Sequence, residues 1–176
     1  MYPMSKAFRL TIFLLLLALT SCQQKPSKEE QARNMEEFMM RNGYEWTQLY
    51  QTKTGHLTAT LKINGQNAVM LLDTGGGATV LDYKQMDHFG LKARATHDYA
   101  AGIGETRAQL AQAKADISIG KVTLKGFSLY VMDMYNVNVT FKRNRSMQVD
   151  GVLGSDLIEQ LHAVIDYDNR RLYVKP

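Results

Sequence analysis

Residues 68–81 read Ala-Val-Met-Leu-Leu-Asp-Thr-Gly-Gly-Gly-Ala-Thr-Val-Leu. An apolar run leads into Asp73, and a second apolar run leaves the glycines. An unpaired carboxylate in such surroundings is costly, and burial drives it toward its neutral form. Three consecutive glycines next to it ask for unusual dihedrals or for close approach by another group. The pattern predicts a working carboxylate, Asp73, held in a tight loop between two buried strands.

The flanking sequence supports strands. Leu57, Ala59, Leu61 and Ile63 alternate with polar residues, and Asn64-Gly65 is a two-residue hairpin signal. The return strand, residues 67–72, delivers Asp73. Residues 82–89 fit a short helix closed by Gly90, and residues 93–119 fit a long hairpin with a small, glycine-flanked tip at 100–105. Two alternating strands follow, joined by Gly120-Lys121. Residues 132–148 then break the pattern with asparagines and basic residues, a polar excursion longer than a plain connection needs. Last come Val149-Asp150-Gly151-Val152-Leu153-Gly154, a helix over 155–161, and a strand pair around Asp168-Asn169-Arg170.

A glycine-rich turn can also cradle phosphate, but no Gly-x-x-x-x-Gly-Lys-Ser/Thr is present and no helical pattern starts at the glycines. Asp-x-Gly-x-x-x-Thr also occurs in sugar-kinase and actin-like ATPases, which need two large domains that 176 residues cannot supply. The loop most closely resembles the active-site loop of the aspartic proteases, in its single-domain, retropepsin-like form. Residues 149–157 resemble that family's hydrophobic-hydrophobic-Gly element, and the likeness covers about residues 53–176. It implies a mostly β fold: a closed barrel, the acid-protease half, with one or two short helices, preceded here by an N-terminal helix. It also implies that Asp73 activates the attacking water, Thr74 ties two loops together and Gly75 permits the turn. Gly102, Ile103 and Gly104 match the tip of the family's flap, which covers an extended peptide. One departure is visible: the family usually has Ala and then a polar residue after the Asp-Thr-Gly, where this chain has Gly76-Gly77.

That chemistry needs two carboxylates sharing one proton, which titrate as a unit. The chain carries one Asp-Thr-Gly; Asp150-Gly151 belongs to the later element, and Asp166 reads as a surface charge at a strand end. A two-fold homodimer supplies the second Asp73 without a second motif. No rival chemistry stands out. His56, His88, His97 and His162 are scattered, and Gly154-Ser155-Asp156 is no nucleophile elbow. Neither metal nor cofactor is expected.

The N-terminus carries its own signals. Lys6 and Arg9 precede an apolar stretch at 10–19, and Leu19-Thr20-Ser21-Cys22 resembles the bacterial lipobox, whose cysteine is acylated. Cys22 is the only cysteine, so no disulfide can form within the chain. This reading divides the chain into a signal peptide at 1–22, a tether with a helix at 23–52, and a protease domain at 53–176. Ser27-Lys28-Glu29-Glu30 fits a capping box for that helix, and Asn42-Gly43 fits its end. Loss of Lys6 and Arg9 halves the formal charge of +4, and the remaining charges are scattered, which argues against nucleic acid. The expected protein is an exported, lipid-anchored endopeptidase of the cell envelope, acting as a homodimer on proteins or peptides. A catalytically silent peptide-binding module of the envelope is the alternative, and an envelope assembly component is a third.

Overall fold

The computed structural model describes residues 25–101 and 107–176. Cys22 and the hairpin-tip residues Gly102, Ile103 and Gly104 lie outside them. The chain divides into two units, residues 1–35 and 36–176. The first contributes the opening of helix α1 (Lys28–Arg41), where the Glu30 amide donates to Ser27 Oγ at 3.2 Å. The second holds everything from Glu36 onward. There α1 ends at Asn42 and Gly43, with Gly43 at φ +81°, a conformation glycine adopts without strain. Within this unit Glu36 pairs with Arg171 at 2.9 Å, and the guanidinium lies over the Trp46 ring at 4.5 Å.

Ten strands follow: β1 (Glu45–Gln51), β2 (Leu57–Ile63), β3 (Gln66–Leu72), β4 (Val80–Asp82), β5 (Arg94–Ala101), β6 (Arg107–Ile119), β7 (Val122–Met132), β8 (Gly151–Leu153), β9 (Val164–Asp166) and β10 (Arg171–Val174). Their order is β5-β6-β7-β4-β8-β3-β2-β1-β10-β9, and a further β2–β6 pairing closes the middle six into a barrel. The alternation read in β2 matches its burial, with Leu57, Ala59, Leu61 and Ile63 all buried. They pack with Met70, Leu81, Leu129, Val131 and Leu153 in the barrel core. β1 lies in the segment read as tether, yet it pairs with both β2 and β10 and so extends the sheet.

Three expectations change in detail. Residues 82–89 form only one turn of 3-10 helix, Tyr83–Gln85, capped by the Asp82 carboxylate, which accepts from the Lys84 amide. The polar excursion is not irregular: it contains helix α2 (Tyr135–Arg143). Its inward positions are Asn138 and Phe141, and a polar residue at one of them hides the helical stripe from a periodicity argument. Asn138 is at home there because its amide donates to the Val149 carbonyl and to Asp82, while its oxygen accepts from the Val149 amide. Helix α3 (Ser155–Gln160) matches the expected position. Asp166 is half-buried rather than a loose surface charge, and it accepts from the Asn169 amide and side chain to close the β9–β10 turn.

Candidate active site

β3 and β8 run parallel in register Leu71↔Val152 and Leu72↔Leu153, while β4 lies antiparallel to β8 with Val80↔Val152. The loop 73–79 therefore leaves one neighbour of β8 and returns on the other. Its base is fixed by the backbone: the Asp73 amide donates to the Leu153 carbonyl at 3.1 Å, and the Ser155 amide donates to the Gly76 carbonyl at 2.7 Å. The turn itself is closed by the Gly76 amide on the Asp73 carbonyl at 3.2 Å.

The root of the loop is a side-chain lock that the sequence did not disclose. Thr79, 1% exposed, donates its hydroxyl to Asp156 Oδ1 at 2.7 Å and its amide to Asp156 Oδ2 at 3.0 Å. The same hydroxyl accepts from the buried Gly154 amide, and Asp156 Oδ1 also accepts from the Leu157 amide. Gly154 has no room for a side chain, since a Cβ would overlap the Ala78 carbonyl and the Thr79 amide. A threonine set between the apolar Ala78 and Val80 was the available signal, but Ser155-Asp156 reads equally well as an ordinary helix start.

The tip is different. Asp73, Thr74 and Gly75 are all exposed in the single chain. Asp73 Oδ1 accepts one bond, from the Gly75 amide at 2.9 Å, and Oδ2 has no hydrogen-bond partner among the described residues. The glycines next to it do not have positive φ. Their use is space: a Cβ on Gly75 or on Gly76 would press within 3.3 Å of a carboxylate oxygen of Asp73. Of the departure Gly76-Gly77, it is Gly76 that leaves space beside the carboxylate, while a Cβ at Gly77 would meet nothing and the backbone bonds keep the loop in place.

Beside Asp73 a row of side chains crosses four strands: Leu71, Val152, Val80 and Tyr130, registered on β3, β8, β4 and β7. All four are half-exposed, whereas Met70, Gly151, Leu81 and Val131 on the other face are buried. Asp73 is two residues beyond Leu71, so it lies on the row's side of the sheet. The arrangement offers an apolar wall next to a carboxylate whose second oxygen is open for a further hydrogen bond. Sequence reasoning named none of these wall residues, because their alternation is set by the register of short strands. Among the described residues no group of three or more His, Cys, Asp or Glu could hold a metal ion.

A model of an aspartyl protease family matches residues 59–157. Among solved structures, a retropepsin-like aspartic protease from Rickettsia conorii superposes with a TM-score of 0.52 at 20% identity, over 75% of this chain and 91% of that one. The retroviral protease-like domain of Ddi1 from Leishmania major gives 0.49 at 15% identity, over 68% and 87% of the two chains. EIAV protease, solved with an inhibitor, gives 0.47 at 20% identity, over 62% and 90%. No curated protein matches the sequence significantly. With a family model spanning more than half its length and a retropepsin-like fold around the Asp-Thr-Gly loop, the chain belongs to the aspartyl proteases.

Proposed function

We propose that this protein is an aspartic-type endopeptidase that works as a homodimer, with Asp73 from each copy forming a paired-carboxylate site. The observation that carries the reading is the state of Asp73: exposed, with one free carboxylate oxygen, on a loop whose root is locked. Such a group is half of a site. A second copy brings the partner carboxylate, and two crowded carboxyls then share a proton, one drawing a proton from water and the other donating to the scissile carbonyl oxygen. In that dimer Thr74, equally exposed, would meet its counterpart across the axis, and the lack of a side chain at Gly75 leaves space beside the carboxylate. β9, the outermost strand on one side of the sheet, offers a free edge on which a second copy can add a strand. Gly102, Ile103 and Gly104 at the hairpin tip are proposed to cover the bound peptide.

The N-terminal sequence supports export and acylation at Cys22, which would hold the enzyme at the bacterial cell envelope on the periplasmic or outer surface. Among the described residues no helix is long and apolar enough to cross a membrane. Cys22→Ser should release the protein from the membrane fraction with its fold intact; unchanged retention counts against the anchor.

The deciding assay is cleavage of a peptide library by the parent and by Asp73→Asn, with peptide binding measured in parallel. Cleavage by the parent alone, falling faster than linearly on dilution, is the expected result. Binding by both forms and cutting by neither would favour the silent binding module. Specific activity constant far below the dimer dissociation constant would rule out the shared site.

A further inference from the structure

β5, the outer strand of the hairpin, carries an irregularity between Ala95 and Tyr99, where its register with β6 shifts. The extra residues are organised: Thr96 Oγ1 donates to the Leu110 carbonyl at 2.7 Å and accepts from the Asp98 amide at 3.2 Å. Bulges of this kind re-aim a side chain. Here the side chain is Asp98, which skips the adjacent strand and reaches β7, where Tyr130 donates its hydroxyl to Asp98 Oδ2 at 3.2 Å. Tyr130 is the outer member of the half-exposed row that begins beside Asp73.

We infer that Asp98, aimed by the bulge and steadied by Tyr130, is a specificity-determining residue whose carboxylate receives a Lys or Arg side chain of an extended peptide. The inference rests on the peptidase reading of the groove. Three strand spacings separate Leu71 from Tyr130, about 14 Å, and an extended peptide covers that in roughly four residues. The recognised cation therefore lies within about four residues of the bond that is cut. Asp98 is exposed and has no ion-pair partner among the described residues. Beyond Asp73 itself, the loop offers no competing charge on the way, because residues 74–78 are Thr, three Gly and Ala. Arg94 lies two strands past Tyr130, beyond the outer end of the row, and among the described residues no ion pair joins it to Asp98. The hydrogen bond to Asp98, reinforced by the charges of Asp98 and Asp156, holds the Tyr130 phenol above its usual value and keeps it a donor.

The test uses end-capped peptides carrying Lys, Arg, Leu or Glu at each position in turn. Cleavage is read with the parent, and binding is read by anisotropy in an Asp73→Asn background that does not cut. The parent should favour Lys or Arg over Glu at one position by about three- to tenfold, the range of a partly screened ion pair, and the preference should shrink with added salt. Asp98→Asn should abolish the preference, Asp98→Lys should reverse it, and Tyr130→Phe should weaken it without changing its sign. No basic preference in the parent, or one that survives in Asp98→Asn, overturns the inference. Cleavage without an Asp98-dependent preference sinks this proposal and leaves the peptidase standing. An Asp98-dependent binding preference without any cleavage does the opposite. Peptides neither bound nor cut reject both.

Discussion

The tip and the root of the 73–79 loop each hold a carboxylate, and the two are treated in opposite ways. Asp156 at the root accepts from the Thr79 hydroxyl, the Thr79 amide and the Leu157 amide, so both oxygens are occupied. Asp73 at the tip accepts one amide and keeps an oxygen open. A carboxylate supplied with donors on both oxygens is held in one orientation and has little capacity left for a further ligand. One left short of donors keeps an oxygen open for a further hydrogen bond. The loop thus sets a fixed carboxylate and an open one within a few residues of each other, with Gly75 and Gly76 leaving space beside the open one.

Removing the reactive end gives the largest expected effect. Asp73→Asn should lower peptide cleavage by at least about a thousandfold, the scale of losing an acid–base group. Its melting temperature should stay within a degree or two of the parent, since the side chain is exposed and makes one internal bond. An active Asp73→Asn protein would move the chemistry elsewhere.

Breaking the root should instead act through stability. Gly154→Ala forces a methyl into the Ala78 carbonyl and the Thr79 amide, with a destabilisation of about 3 kcal/mol or more expected in urea denaturation. Thr79→Val keeps the shape but leaves the buried Gly154 amide without its acceptor and Asp156 short of a donor. About 1–3 kcal/mol should be lost. Cleavage per folded molecule should also fall, which a purely remote stabiliser would not cause. An unaltered rate in Thr79→Val would mean that the tip does not depend on the root.

Asp116 sharpens the comparison from the other direction, as a carboxylate with good partners far from the loop. Its pKa is held below the usual carboxylate value by the Lys125 ammonium and the Gly126 amide. The folded value is depressed, so its stabilisation is present above the unfolded pKa and is lost as pH falls through the folded one. Asp116→Asn should therefore be slightly less stable than the parent at neutral pH and indistinguishable from it in strong acid. Being exposed, the pair should give the smallest effect of the series, and cleavage should be unchanged. A large loss of activity would show that the site reaches further than the loop.

Asp73-Thr74-Gly75, the Asn64-Gly65 hairpin and the alternation of Leu57 to Ile63 were legible in the sequence because each is local, a turn chemistry or a period that needs no partner. The element at 149–157 was legible in kind but not in purpose. That Asp156 answers Thr79 across 77 residues follows only from the strand register that sets β8 between β3 and β4. Helix α2 was missed because Asn138, a polar residue, faces inward, and its donors and acceptors are matched only once Val149 and Asp82 have been brought to it. The surroundings of Gly76 also waited on the structure, since its backbone angles are ordinary and only the fold shows that a Cβ there would lie 3.3 Å from an Asp73 carboxylate oxygen. The sequence by itself determined which carboxylate stands at the turn and which strands carry it. Tertiary structure decided that this carboxylate is open and Asp156 closed, because hydrogen-bond supply depends on which distant backbone the barrel brings alongside.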